Sequence, residues 1–436
     1  MEVKFEDFLK TNKNIIKNKN IGIAISGGPD SIALTLLLNK FKNKYSYKLI
    51  AFTVDHQLRK KSSQEAEDVK NLMEELCIKH ITLKWQNSKP STKILELARI
   101  ARYNLLAESS NINKINIMML GHHLDDQIET FIIRLEANSG LNGLACMRDF
   151  SKIKTDFGNL NILRPLLSFQ KKDLINICKE KKIKWNEDPT NNNIKYKRVR
   201  VRKILLNSNL HKDFISVIDI YNKLKFNFDN MLMYIIKKHI IFNETGICQI
   251  DEKQFQKLPI LIKEKILIIL IKIIGGKKYP RKTSNIKNLI NNLSKKEKIY
   301  ATIGGVYIIK SKNKITLFRQ FDSTLKNIPI KSRNIIWDRR FIVKNSSEIN
   351  NLSIGPLTEK DYLNMIKLKK IIKPKLPFYA IKTIPTIRIL DEIISIPHLL
   401  YNKDKFWKNN ITLTHVENNL FNSCKKLYTE YLGELN

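Results

Sequence analysis

The chain has 436 residues, enough for two or three domains at roughly 100–200 residues each. A hydrophobic fraction of 43% argues against global disorder. The five cysteines (Cys77, Cys146, Cys178, Cys248 and Cys424) are odd in number and lack a Cys-x-x-Cys pair, which argues against a disulfide scaffold, a zinc ribbon or a cluster site and fits a reducing cytoplasm. Lys and Arg outnumber Asp and Glu by 78 to 41, and the net charge of +37 favours a polyanion such as nucleic acid or an anionic membrane surface.

Residues 1–20 read as a short helix with a Lys/Asn tail, without the basic-then-apolar pattern of a leader. Strands and helices then alternate to about residue 170. The strands are expected at 22–25, 49–54, 81–85 and 115–120, and the helices at 31–41, 63–79, 92–109 and 124–135. Such βα alternation predicts an α/β fold with a doubly wound parallel sheet, whose ligands lie beyond the carboxyl ends of the strands. After Leu205–Asn209 the composition shifts. To about residue 320 the chain reads as helical and Lys/Ile-rich, closing with a hairpin of 301–309 and 315–318. Its most apolar run, 260–271, is too short and too interrupted by charge to span a bilayer. Residues 321–329 look like a linker. From Asn334 on, short strands and a helix punctuated by Pro374, Pro377, Pro385 and Pro397 suggest a small α+β domain.

Three motifs fall at strand ends of the first region. Ile21–Ile25 leads into Ser26-Gly27-Gly28-Pro29-Asp30-Ser31, a strand, a tight loop and a first helical turn. The glycines permit positive φ and close approach of a ligand, and Pro29 has no N–H to lose at a helix start. The free N–H groups with the two serine hydroxyls make an anion site. A P-loop would need a Lys that this loop lacks. Asp55 and His56 end the second strand, where a nucleoside commonly lies, followed by Gln57-Leu58-Arg59. Gly121-His122-His123-Leu124-Asp125-Asp126 with Glu129 follows the fourth. Asp125 and Asp126 can cap a helix, and with Glu129 they also suit Mg²⁺ held on ATP phosphates. Arg99 and Arg102 share one helix face, either solvated or turned to a phosphate. Arg198, Arg200 and Arg202 alternate beside Tyr196, a pattern suited to phosphate contacts with stacking on a single-stranded RNA loop.

The Ser-Gly-Gly-x-Asp-Ser loop resembles that of the ATP pyrophosphatases. With Val54–Arg59, Ala98–Tyr103, Gly121–Thr130, Leu135–Leu144, Arg164–Leu167 and Glu187–Asn191, the chain is similar to the tRNA(Ile)-lysidine synthetase family. Pro280-Arg281 with Gly304-Gly305, and the Pro377, Pro385 and Pro397 run, resemble its later domains. The resemblance implies an ATP-binding catalytic domain at 1–208, a mainly helical middle domain at 209–329 and a C-terminal domain at 330–436, the last two binding tRNA. It implies ATP and Mg²⁺ as cofactors, free L-lysine and a CAU-anticodon tRNA(Ile) as partners, no membrane, and a cytoplasmic enzyme; a homodimer stays open. It implies nucleotide contacts from Ser26, Gly27, Gly28, Pro29, Asp30, Ser31, Asp55 and His56. Metal contacts fall to Asp125, Asp126 and Glu129, catalytic roles to Asp30, Arg102 and Asp126, and tRNA contacts to Arg198, Arg200 and Arg202. Val199 stands where the family usually has Asn. A tRNA thiolase would carry paired cysteines, and a glutamine-dependent synthetase a Cys where Glu2 stands.

Overall fold

The computed structural model describes residues 1–57, 62–86, 94–186, 197–206, 211–276, 283–347, 349, 351–374 and 376–416. These fall into two compact units, parted between Asn227 and Phe228.

The first unit is built on strands β1 (Asn20–Ala24), β2 (Lys48–Asp55), β3 (Lys79–Lys84), β4 (Ile117–Leu120), β5 (Phe150–Thr155) and β6 (Gly158–Leu163). Their order is β3-β2-β1-β4-β6-β5. β5 alone runs antiparallel to its neighbour, as half of a hairpin with β6. Because side chains alternate across a strand, the apolar runs feed two cores. Ile21, Ile23, Ile117, Met119 and Leu163 pack with Leu34, Leu37 and Leu38 of helix Pro29–Phe41. Ala24, Phe52, Met118, Leu120 and Ile162 pack with Tyr103, Leu106 and Ala107 of helix Ile94–Ile112. Both faces of the sheet are thereby covered, as near-continuous apolar strands require. The β5–β6 hairpin was not anticipated. Phe150–Thr155 carries Lys at alternate positions, 152 and 154, and is half-buried, the pattern of an edge strand.

The expected helices of the middle region are present at His211–His239, Glu252–Gln256, Ile260–Gly275 and Thr283–Lys295, and a sheet not anticipated joins them. Helix Ile260–Gly275, most of it buried, packs on a five-stranded antiparallel sheet of order β7-β8-β11-β10-β9. Its strands are β7 (Ile240–Phe242), β8 (Cys248–Asp251), β9 (Ile299–Ile303), β10 (Val306–Ser311) and β11 (Lys314–Arg319). The first two are three and four residues long, too short to register as alternation. The expected hairpin is present, but its first arm is two strands, β9 and β10. They are split at Gly304 and Gly305, whose φ values of 64° and 82° only glycine adopts easily.

The remaining residues form two antiparallel sheets. One runs β12 (Ile328–Pro329), β15 (Leu352–Pro356), β16 (Pro385–Ile389), β17 (Glu392–Ile396), β18 (Tyr401–Asn402); the other is β13 (Asn334–Trp337), β14 (Phe341–Asn345), β19 (Ile411–His415). Trp337, Phe341, Val343, Leu352, Ile354, Ile387 and Trp407 share one core, as a small α+β fold leads one to expect.

A buried charge cluster ties β11 to this last region. Asp338 accepts from Arg319 Nη2 at 2.9 Å and Nε at 3.1 Å, from Arg340 Nε at 2.7 Å, and from the Leu325 N–H at 3.1 Å. Arg319 also donates to the carbonyls of Gly275 and Ser323. Both arginines and the aspartate are nearly inaccessible to water.

Candidate active site

The loop after β1 is held by its own serines. The Ser26 N–H donates to Ser31 Oγ at 3.1 Å, Ser31 Oγ donates to the Gly28 carbonyl at 3.0 Å, and the two hydroxyls lie 3.3 Å apart. Gly27 sits at φ +81°, and its carbonyl accepts from Asn186 N–H at 2.9 Å. Gly28 is the N-cap of helix Pro29–Phe41 and supplies no side-chain cap, so the first N–H groups stay open. This is a cradle for an anion at the positive end of a helix.

Beside it, the end of β4 brings His123 into the first turn of helix Leu124–Glu136. His123 is 2% exposed and faces three carboxylates: Asp30 Oδ2 at 3.5 Å, Asp125 Oδ2 at 3.4 Å and Asp126 Oδ2 at 3.6 Å. Burial alone would lower its pKa, but Asp125, Asp30 and Asp126 raise it to about 10, so the ring is an imidazolium. Asp126 closes a capping box with the His123 N–H at 3.1 Å, and Asp125 accepts from the Lys171 N–H at 2.8 Å. The capping role of the acidic pair is therefore visible in the structure.

Glu129, one turn on, does not join them. It is fully buried, and its Oε1 accepts from Arg202 Nε at 2.7 Å. Among the described residues no three of His, Cys, Asp and Glu converge as a metal site. At this site, two buried carboxylate oxygens, Asp30 Oδ1 and Glu129 Oε2, have no hydrogen-bond partner. Asp30 Oδ1, at the cradle, fits the single carboxylate that Mg²⁺ needs when phosphates and water complete its shell.

Asp55 is buried and locks its own turn, accepting from the Gln57 N–H at 2.8 Å and Ser63 Oγ at 3.1 Å. Burial opposes its charge, but hydrogen bonds from Gln57, Ser62 and Ser63 and the charge of Lys84 hold it below the usual carboxylate range. His56 packs edge-on to Trp85 at 5.9 Å. Arg198, Arg200 and Arg202 lie on helix Lys197–Leu206, where alternation does not make one face. Arg198 and Arg200 are exposed, while Arg202 is drawn to Glu129. Val199 is buried on this helix, which explains an apolar residue at that position. The Leu58-Arg59, Glu187–Asn191, Tyr196 and Pro280-Arg281 segments lie outside the described residues.

The Arg202–Glu129 pair was missed because the residues are 73 positions apart. Gln127 was also missed. Its amide brackets the Met147 backbone with two 2.8 Å hydrogen bonds and holds the turn after the helix. The signal for His123 was present in its position between Gly121 and two acids.

The family model of the PP-loop domain matches residues 1–209. A tRNA(Ile)-lysidine synthase of Rickettsia felis is 30% identical over 419 residues, 92% of this chain and 95% of that one. The chain belongs to the tRNA(Ile)-lysidine synthase family. The Orientia tsutsugamushi member is 29% identical over 407 residues, 89% of this chain and 91% of its own. Membership makes the chain a ligase with an ATP-using PP-loop domain at residues 1–209. No helix of the described residues is long and apolar enough to cross a membrane.

Proposed function

We propose that this enzyme joins free L-lysine to carbon 2 of the wobble cytidine of a CAU-anticodon tRNA(Ile), consuming ATP and releasing AMP and pyrophosphate. The observation that carries the reading is the open PP-loop cradle flanked by the Asp30–His123–Asp126 cluster, in a chain aligned over nine-tenths of its length with the family. In the first step the cytidine O2 attacks the α-phosphorus and pyrophosphate leaves. In the second the lysine ε-amine attacks carbon 2, AMP departs with the former O2, and the amine loses a proton. Adenylation turns a poor amide-like leaving group into a good one. The product base would read AUA in place of AUG.

The chain's part is positioning and charge. Ser26, Ser31 and the open N–H groups of Gly27, Gly28, Asp30 and Ser31 hold the phosphates. Asp55 and His56 shape the nucleoside side of the rim. Asp30, with Asp126, would hold Mg²⁺, which supplies charge neutralisation at the phosphates. Asp30, Arg102 and Asp126 are the residues we assign to catalysis, and Arg198 and Arg200 to the RNA. The divisions at 208 and 329 would separate catalysis from tRNA docking.

The test is incorporation of radiolabelled lysine into an unmodified CAU-anticodon tRNA(Ile) transcript with ATP and Mg²⁺, against a methionine tRNA. Incorporation into the first alone supports the reading. Bound tRNA without incorporation overturns it.

A further inference from the structure

The far side of β4 from the PP-loop holds a group of arginines that the phosphate cradle does not use. Met119 of β4 pairs with Leu163 of β6, so His122 and Arg164 leave adjacent strands at the same end of the sheet. Helix Ile94–Ile112, which packs on β5 and β6, adds Arg99 and Arg102. Helix Lys197–Leu206, packed on helix Leu124–Glu136, adds Arg198. All four guanidiniums act on His122, and burial, then Arg164, Arg102, Arg99 and Arg198, push that ring well below its ordinary pKa. His122 is neutral, while its neighbour His123, turned to the other side, is an imidazolium.

Cations this close repel one another and need an anion. The protein supplies little. Arg164, 5% exposed, donates through Nη1 to the Arg148 carbonyl at 2.9 Å and Ser151 Oγ at 2.8 Å, and its buried Nε has no partner. Arg99 lies over the Tyr103 ring at 5.3 Å. Tyr103, which also hydrogen-bonds it, and Asp149 favour the charge of Arg164, and burial pushes the Asp149 carboxyl up. The buried Nδ1 of His122 is likewise without a partner. The unpaired, buried Arg164 Nε and His122 Nδ1, with Arg99 and Arg198 open to solvent beside them, describe a receptor for a phosphate group.

We propose that Arg99, Arg102, Arg164 and Arg198, grouped about His122, form a second phosphate site that grips a backbone phosphate of the RNA beside the target nucleotide. The proposal rests on the reading of tRNA as substrate. In the order β1-β4-β6, Arg164 is two strand spacings, about 10 Å, from the PP-loop. The two sites are thus separate, and the RNA strand would be held on one side of β4 while ATP occupies the other. A nucleotide phosphate is the alternative source of the same chemistry.

The test is the salt dependence of binding of an unmodified CAU-anticodon transcript to the full chain, with ATP binding measured in parallel. Arg164→Gln removes a buried member and Arg99→Gln an exposed one whose loss leaves folding intact. Each is expected to weaken the transcript several-fold and to lower the log–log salt slope by about 1, the loss of one phosphate contact. ATP affinity should stay within about twofold, against that several-fold RNA effect. An unchanged slope in both variants, a loss confined to ATP, or a wild-type chain that does not bind the transcript overturns the site. Lysine incorporation by the wild type is read separately. An active wild type with unchanged slopes removes this site alone, and reduced slopes without incorporation leave the site and remove the ligation reading.

Discussion

Asp338→Asn should destabilise the second unit far more than its size suggests. The aspartate carries the one negative charge between Arg319 and Arg340, and its side chain is 5% exposed. Asparagine keeps the shape and one acceptor, but its amide meets Arg319 or Arg340 donor to donor, and two guanidiniums are left buried without a counter-charge. Burial already lowers Arg340 to about pH 10 despite Asp338. Removing one partner of a buried pair costs about 3–5 kcal/mol, and the retained acceptor places this variant near 3. With a urea dependence of about 3 kcal/mol per molar for a unit of this size, the midpoint falls by about 1 M. Trp337, buried beside the cluster with Arg340 5.9 Å from its ring, reports the transition by fluorescence. A companion variant with Arg319→Met, Asp338→Leu and Arg340→Met should recover most of the loss, because an apolar replacement escapes desolvation of all three charges. An Asp338→Asn midpoint within about 0.2 M of wild type would refute the reasoning.

Ser31→Ala removes the hydroxyl that accepts from the Ser26 N–H and donates to Gly28. Pyrophosphate release should fall by about 10²–10³ while tRNA binding is retained; equal loss of both in a filter assay would sink the separation. Asp30→Ala should behave alike. Gly27→Ala forces a β-carbon into a φ of +81° and to 3.1 Å from Val69 Cγ2, so ATP-induced thermal stabilisation should be lost at a cost of about 1–2 kcal/mol in the apo protein. Among the cysteines of the described residues, native alkylation at pH 8 should label exposed Cys77 before Cys146, Cys178 and Cys248. Burial raises Cys146 to about 12 and Cys178 to about 11 and pushes Cys248 higher still, so these three should stay unlabelled until unfolding; peptide mapping decides.

The parallel sheet and its PP-loop were legible because the information is local: apolar runs of five to eight residues, a Gly-Gly turn and a helix start follow one another in the chain. The β5–β6 hairpin was hidden by the lysines and serine of Phe150–Thr155, and β7 and β8 by their brevity. At the site, the sequence identified the loop and the acidic pair but not their partners. Nothing near Glu129 announces Arg202, and nothing in the alternation of Arg198, Arg200 and Arg202 reveals a helix that sends them to different faces. Pairings of that kind are decided by helix packing, which local pattern does not encode.

Strand β19 has a further importance. It pairs with β14 along five residues, from Phe341 opposite His415 to Asn345 opposite Ile411, and the Val416 N–H reaches the Arg340 carbonyl at 2.7 Å. A proteolytic nick or premature stop just before Ile411 would strip this cover. β14 would then present a bare row of N–H and C=O groups beside Phe341 and Val343, the setting for edge-to-edge aggregation. β19 thus acts as a solubility device, and loss of residues 411–436 should show first as precipitate.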